Sequence, residues 1–226
     1  MDAPDQSVES RKRQAIEELE EDIVLGYLYP RERLVEDDLL ARFRLKRHVV
    51  RQVLLELERM GLVERKKNIG AIVKAYSLTE VVDLYALREI LETAGARLIA
   101  IPADPAKLDE LEAIQRQHDD AAANADPRAA IRTNIAFHRA FFALSENQAL
   151  TEMIELAAQR AHAIRSLTIT VPEYLENARL HHWEMIEALR VADRERLVDL
   201  CSRHLHPARD AYINQLRQRA GRRSTI

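Results

Sequence analysis

Along residues 11–25 the apolar positions Ile16, Leu19, Ile23 and Val24 recur at helical spacing, and Gly26 stops the pattern. Residues 27–31 read as a turn into two short amphipathic helices. In the first of these Leu34, Leu39, Leu40 and Phe43 share a face. Glu36, Asp37 and Asp38 occupy its first turn, where negative charge opposes the helix dipole. The second is predicted over 47–60, with Val50, Val53, Leu54 and Leu57 turned inward. Gly61 suits the position just beyond it, because glycine takes positive φ without steric cost. Two short apolar runs follow, Leu62-Val63 and Ala71-Ile72-Val73, bracketing the basic turn Lys66-Lys67-Asn68-Ile69-Gly70. A helix pair followed by a hairpin with a basic tip predicts a winged helix-turn-helix.

From residue 78 the period is helical throughout. Helices are predicted over 78–101, 105–123, 126–145, 151–169, 172–190 and 193–217, with Ser77 or Thr79 capping the first and Pro102 and Pro105 ending it. Leu84, Leu87, Leu91 and Ala94 form the expected inner stripe of that first helix. Six helices with short connections make a bundle. Residues 1–10 and the basic tail 217–223 are expected to be mobile or frayed. The fold class is therefore mainly α: a winged helix-turn-helix over 9–76 and an antiparallel six-helix bundle over 78–220.

Composition narrows the function. With 226 residues, 47% apolar and 31% charged, the chain has room for two globular domains, and five Gly and seven Pro favour long helices. No run reaches the ~18 apolar residues of a membrane span, no signal peptide is visible, and one cysteine, Cys201, excludes an internal disulfide. A cytoplasmic protein without membrane contact is the expectation. The net charge of −3 is not that of a general nucleic-acid binder, so DNA binding needs a local basic face. Arg44, Lys46, Arg47, His48 and Arg51 supply one, with no acid until Glu56. A helix with a basic N-terminal half can enter the major groove and meet phosphates.

In the bundle, three predicted helices each aim one histidine inward. His138 shares a stripe with Ile131, Ile135 and Phe142, and Asn134 lies one turn before it. His182 follows Leu175 and Ala178 and precedes Ile186 and Leu189. His204 follows Leu197, Leu200 and Cys201. Three imidazoles suit zinc or another borderline transition metal and leave coordination positions open. Three separate core histidines are the plainer alternative. His181 and His206 are lesser candidates, His118 and His162 read as surface or packing residues, and Pro207 is expected to kink the last helix.

The first domain resembles the DNA-binding domain of the GntR transcription regulators. Pro30, Arg33, Leu34, Glu36, Leu39, Phe43, Arg47, Val50, Arg51, Leu54, Leu57, Gly61, Leu62, Val63 and Gly70 match its pattern in order. Lys46, His48 and Val49 stand where that pattern has Ser, Thr and Pro. The second domain resembles the all-helical ligand-binding (FCD) domain of the FadR-type subgroup. The carriers are Arg88-Glu89-Ile90-Leu91-Glu92-Thr93-Ala94-Gly95-Ala96, then Asn134-Ile135-Ala136-Phe137-His138, then Ser145-Glu146-Asn147, His182 and His204.

The resemblance implies DNA contacts from Arg33, Arg44, Lys46, Arg47, His48, Arg51, Lys67, Asn68 and Gly70, with Arg47 and Arg51 on bases or phosphates. It also implies a divalent transition metal (zinc, nickel or manganese) on Asn134, His138, His182 and His204, completed by a small organic acid. Asn134 replaces the subgroup's Asp, keeping a carbonyl oxygen but no charge. Arg88 either clamps the effector's carboxylate or pairs with Glu92 one turn on. A homodimer on a pseudo-palindromic operator in double-stranded DNA follows, since one winged domain reads few base pairs. The function expected is an effector-responsive transcription regulator. The enzyme alternative is a helical-bundle metalloenzyme with an accessory DNA-binding module, but the chain lacks the Glu-x-x-His pairs of di-iron bundles and any H-E-x-x-H. A non-specific architectural DNA protein fits the acidic balance poorly.

Overall fold

Helix α1 (Ala3–Val24) opens the chain in a computed structural model that describes residues 3–66, 69–165, 168 and 171–223, the side chains of 3–7 and 219–223 excepted. The polar start expected to be mobile is thus helical from Ala3. Ala15, Leu19 and Ile23, four residues apart, form its buried stripe. The chain divides into two compact units, Met1–Tyr76 with Gln159–Ser166, and Ser77–Ala158 with Leu167–Ile226.

The first unit continues through β1 (Arg33–Leu34), α2 (Glu36–Phe43), α3 (Arg47–Arg59), β2 (Val63–Lys66) and β3 (Gly70–Val73). The strands pair antiparallel in the order β1-β3-β2. Leu34 faces Ala71 across β1 and β3, and Lys66 faces Gly70 across the wing. Leu34, expected on the first helix of the pair, is instead a strand residue, and its side chain is buried. Two residues are too short a run for the alternation that announces a strand.

Arg44 ends α2 in the left-handed conformation, φ 52°. Gly61, with φ 75°, turns the chain out of α3. A Cβ there would lie 2.8 Å from Cγ of Arg160, so the position needs glycine for both conformation and space. Tyr76 donates from its hydroxyl to the Gly61 carbonyl, 3.0 Å. The short helix α8 (His162–Arg165) also belongs here, with Ala161, His162 and Ile164 buried and His162 Nδ1 donating to Glu20 Oε1 at 2.7 Å.

In the second unit α4 (Leu78–Leu98), α5 (Pro105–Ala123), α6 (Pro127–Ala143), α7 (Gln148–Arg160, its last two residues belonging to the first unit), α9 (Pro172–Arg190) and α10 (Arg194–Arg223) enclose an apolar core. Phe137, Phe141, Met185, Ile186, Leu189, Leu197 and Leu200 lie at its centre. Ser77 and Glu80 form a reciprocal capping box on α4, and Asp104 and Asp126 cap α5 and α6. Three expectations need correcting. Helix α4 stops at Leu98, and its inner face runs through Leu84, Tyr85, Arg88 and Glu92, which leaves Leu87 exposed. The helix predicted over 151–169 ends at Arg160, before α8. Helix α10 passes Pro207 and continues to Arg223 instead of fraying at 217. Among the described residues no helix is long and apolar enough to cross a membrane.

Candidate nucleic-acid interface and metal centre

Helix α3 buries Val49, Val50, Val53, Leu54 and Leu57, and this fixes which residues face out. Arg44, Lys46, Arg47, His48 and Arg51 are all exposed on that outer side, as is Arg33 on β1. Lys46 stands at the N-cap without a side-chain bond to the helix, as expected from the missing Ser. Gly70, φ 94°, lies at the wing with open space where a Cβ would point. Lys67 and Asn68 lie outside the described residues.

Two acids modify this face, and the periodicity did not reveal them. Arg47 Nη2 meets Asp37 Oδ1 at 2.7 Å, and its Nη1 meets Glu36 Oε2 at 3.3 Å. Arg51 Nε meets both Glu36 carboxylate oxygens at 3.3 Å. The first turn of α2 thus holds the arginines of α3. The arginines are more than half exposed, so each contact contributes about 0–1 kcal/mol and yields readily to a phosphate or base edge. The clue in the sequence was the acidic triplet itself, whose dipole role hid this second one.

In the second unit α6, α9 and α10 bring three histidines together. His138 Nε2 lies 3.3 Å from His182 Nε2 and 3.1 Å from His204 Nε2, and the ligand atoms of all three lie within 4.8 Å of one another. Among the described residues this set is the one that converges; His181 packs on His204 at 5.7 Å between ring centroids but is not part of it, nor is His206. Burial pulls His181 below the usual imidazole range, with Glu184 opposing and Arg203 assisting. Asn134, one turn before His138 on α6, is buried.

The donor set fits a cation. Two nitrogens on one ion at about 2.0–2.1 Å and 90–109° apart stand roughly 2.9–3.4 Å from each other, which spans both close contacts of His138. Two lone pairs at such distances repel unless a proton or a cation lies between them. Cys201, one turn before His204 on α10, is no competing thiolate: burial, with Glu92 nearby, pushes its thiol far up.

Behind the cluster, Gln115 Oε1 meets His182 Nδ1 at 2.8 Å, and Gln115 Nε2 donates to Asp119 Oδ1, also at 2.8 Å. Neither residue was singled out from the sequence. The signal was present, since Gln115 and His118 interrupt an apolar stripe of α5 at core positions. His118 is fully buried, with Nδ1 at 3.1 Å from the Ala130 carbonyl and 3.0 Å from Thr133 Oγ1, and His162 is buried on α8. Both are packing residues and neither lies on the surface. Arg88 takes the paired alternative: Nε and Nη2 reach Glu92 Oε1 at 3.0 and 2.8 Å, and the guanidinium lies over the Tyr85 ring at 5.1 Å. Burial opposes its charge, but Glu92 and Tyr85 hold the guanidinium above its ordinary value.

Comparison with known proteins agrees with both halves. Residues 83–207 match the FCD domain and residues 11–73 match the bacterial regulatory proteins of the gntR family. The uncharacterized HTH-type transcriptional regulator YdhC of Bacillus subtilis (strain 168) is 26% identical over 179 residues, 79% of this chain and 80% of that protein. Among solved structures, McbR/YncC of E. coli superposes with a TM-score of 0.77 at 20% identity, over 91% of this chain and 98% of that one. A GntR protein from Rhodococcus sp. RHA1 does so with a TM-score of 0.75 at 22% identity and the same coverage. At those identities the superpositions show a shared fold alone. The gntR family is one of bacterial regulatory proteins and the Bacillus relative is a transcriptional regulator, which sets the metalloenzyme alternative aside. A helix-turn-helix with an exposed basic α3, a paired wing and an FCD domain over more than half its length make this chain a DNA-binding transcription regulator of the GntR family.

Proposed function

We propose that this regulator responds to a small organic acid bound in its second unit at a divalent transition metal, and reads a pseudo-palindromic operator as a cytoplasmic homodimer. The observation that carries the metal reading is the approach of the His182 and His204 Nε2 atoms to within 3.3 and 3.1 Å of His138 Nε2. His138, His182 and His204 would hold the ion, and Asn134 would add a neutral carbonyl oxygen. Zinc, nickel or manganese bound there supplies a positive centre with open positions for a carboxylate. A guanidinium carries five donors, more than Glu92 uses, so Arg88 could bind the effector with Glu92 orienting it.

On the DNA side, Arg47 and Arg51 would exchange Glu36 and Asp37 for base edges or phosphates. Arg33, Arg44, Lys46, His48 and the wing residues Lys67, Asn68 and Gly70 would add contacts along the backbone. Effector binding would shift the population between DNA-competent and incompetent arrangements, by as much as the effector's affinities for the two differ. The test is the melting temperature after chelator treatment, then with zinc, nickel or manganese restored. A rise that His182→Ala abolishes is expected. No rise with any of the three would leave a core histidine cluster and no metal site. Equal affinity for an operator and for random DNA at physiological salt would remove the specific-reader half.

A further inference from the structure

Asp119, on α5, takes two hydrogen bonds in its carboxylate: Oδ2 from the indole Nε1 of Trp183 at 2.9 Å, and Oδ1 from Gln115 Nε2 at 2.8 Å. Arg179 stands 3.9 Å from Oδ2. A carboxylate only accepts, so Gln115 must turn its NH2 toward Asp119 and its carbonyl oxygen the other way. That oxygen lies 2.8 Å from His182 Nδ1. It also only accepts, so Nδ1 must carry the proton. In a neutral imidazole the lone pair is then on Nε2, the nitrogen 3.3 Å from His138 Nε2. Gln115 and His182 are both 0% exposed, so bulk solvent does not compete for either partner. Phe137 stacks on the imidazole, centroids 4.0 Å apart and planes 15° from parallel, which opposes turning the ring over.

The geometry points to Asp119 and Gln115 as positioning residues that set the His182 tautomer, with the proton on Nδ1 and the Nε2 lone pair facing the histidine cluster. As a consequence for ligand binding it rests on the metal reading above; as a statement about the tautomer it does not. An acceptor behind a ligating imidazole fixes its orientation and raises its basicity, and loss of such a partner weakens metal binding on the order of 10–100-fold.

The first measurement is the 15N spectrum of histidine-labelled, metal-free full-length protein, with the His182 signal assigned by its loss in His182→Ala. Protonated Nδ1 and bare Nε2 are expected, and the opposite tautomer overturns the inference. The second is zinc affinity by competition with a chelator, alongside the metal-free melting temperature of each variant. Gln115→Leu is expected to weaken zinc on the order of 10–100-fold. The double variant Gln115→Glu with Asp119→Asn should restore it. Its carboxylate at position 115 still accepts from His182, while the amide at position 119 donates to that carboxylate and accepts from Trp183. Unchanged affinity in Gln115→Leu, or no rescue in a folded double variant, overturns the positioning role. Wild-type protein with the expected tautomer and no zinc binding supports the tautomer assignment and refutes the metal reading.

Discussion

Glu36 touches both Arg47 and Arg51, and so one carboxylate conditions the two arginines best placed to read DNA. Its pairs are exposed, and stability should change by only about 0–1 kcal/mol when it is neutralised. Binding should change more. Glu36→Gln is expected to raise affinity for random DNA, because Arg51 is released to phosphate and Arg47 keeps only its contact with Asp37. Arg51→Ala is expected to cost about 1–3 kcal/mol of discrimination between operator and mismatched sites if it reads a base. Fluorescence anisotropy on matched and scrambled duplexes checks both; a Glu36→Gln protein with unaltered random-sequence affinity would mean the pairing is incidental. The buried pair Arg88–Glu92 behaves differently. Glu92→Leu strands a guanidinium in the core and should cost about 3–5 kcal/mol in urea denaturation. Arg88→Met combined with Glu92→Leu should recover most of that loss, since the pair's mutual attraction mainly offsets its own desolvation.

At the scale of elements, the two ends of α3 invite opposite tests. Gly61→Ala places a Cβ in the left-handed region and 2.8 Å from Arg160, and a loss of about 1–2 kcal/mol is expected from the conformation alone. At the other end, Lys46→Ser supplies the missing cap and should add about 1 kcal/mol to stability. The same change should lower the slope of log affinity against log salt by about 0.9 if Lys46 meets a phosphate. A gain in melting temperature with an unchanged slope would place Lys46 off the DNA. Elements legible in the sequence were those with several turns of clean period: α3, α5, α6 and α9 lie close to where the apolar spacing puts them. Leu34 and Leu87 were misplaced because each also fits a helical stripe, and only the neighbours decide which stripe faces the core. The end of α10 was misread because its last turns carry little apolar signal, yet the helix continues to Arg223.

For the whole molecule, a net charge of −3 opposes general attraction to DNA, so the proposed DNA binding depends on a local basic face such as that of α3. Affinity should therefore fall steeply with salt for the operator and be weak for random sequence. Within the candidate metal site, the sequence could nominate His138, His182 and His204 because each sat on the apolar stripe of its own helix. It could not tell three isolated core histidines from one cluster, since the residues lie 44 and 66 positions from His138. Gln115 and Asp119 were invisible as partners for the same reason: 67 positions separate Gln115 from His182.

What the sequence determined by itself is local: helical period, caps, the glycine at Gly61, the basic stretch from Arg44 to Arg51, and the order helix pair then hairpin. Each of these depends on residues a few positions apart, where backbone geometry alone sets who meets whom. What only the tertiary structure decided is how distant side chains satisfy one another. Arg88 commits its charge to Glu92, Glu36 gathers two arginines from the next helix, and the Asp119 carboxylate reaches His182 through Gln115. The choices at Arg88 and His182 follow from burial, because a polar group cut off from water must take whichever partner the packed helices bring within about 3 Å.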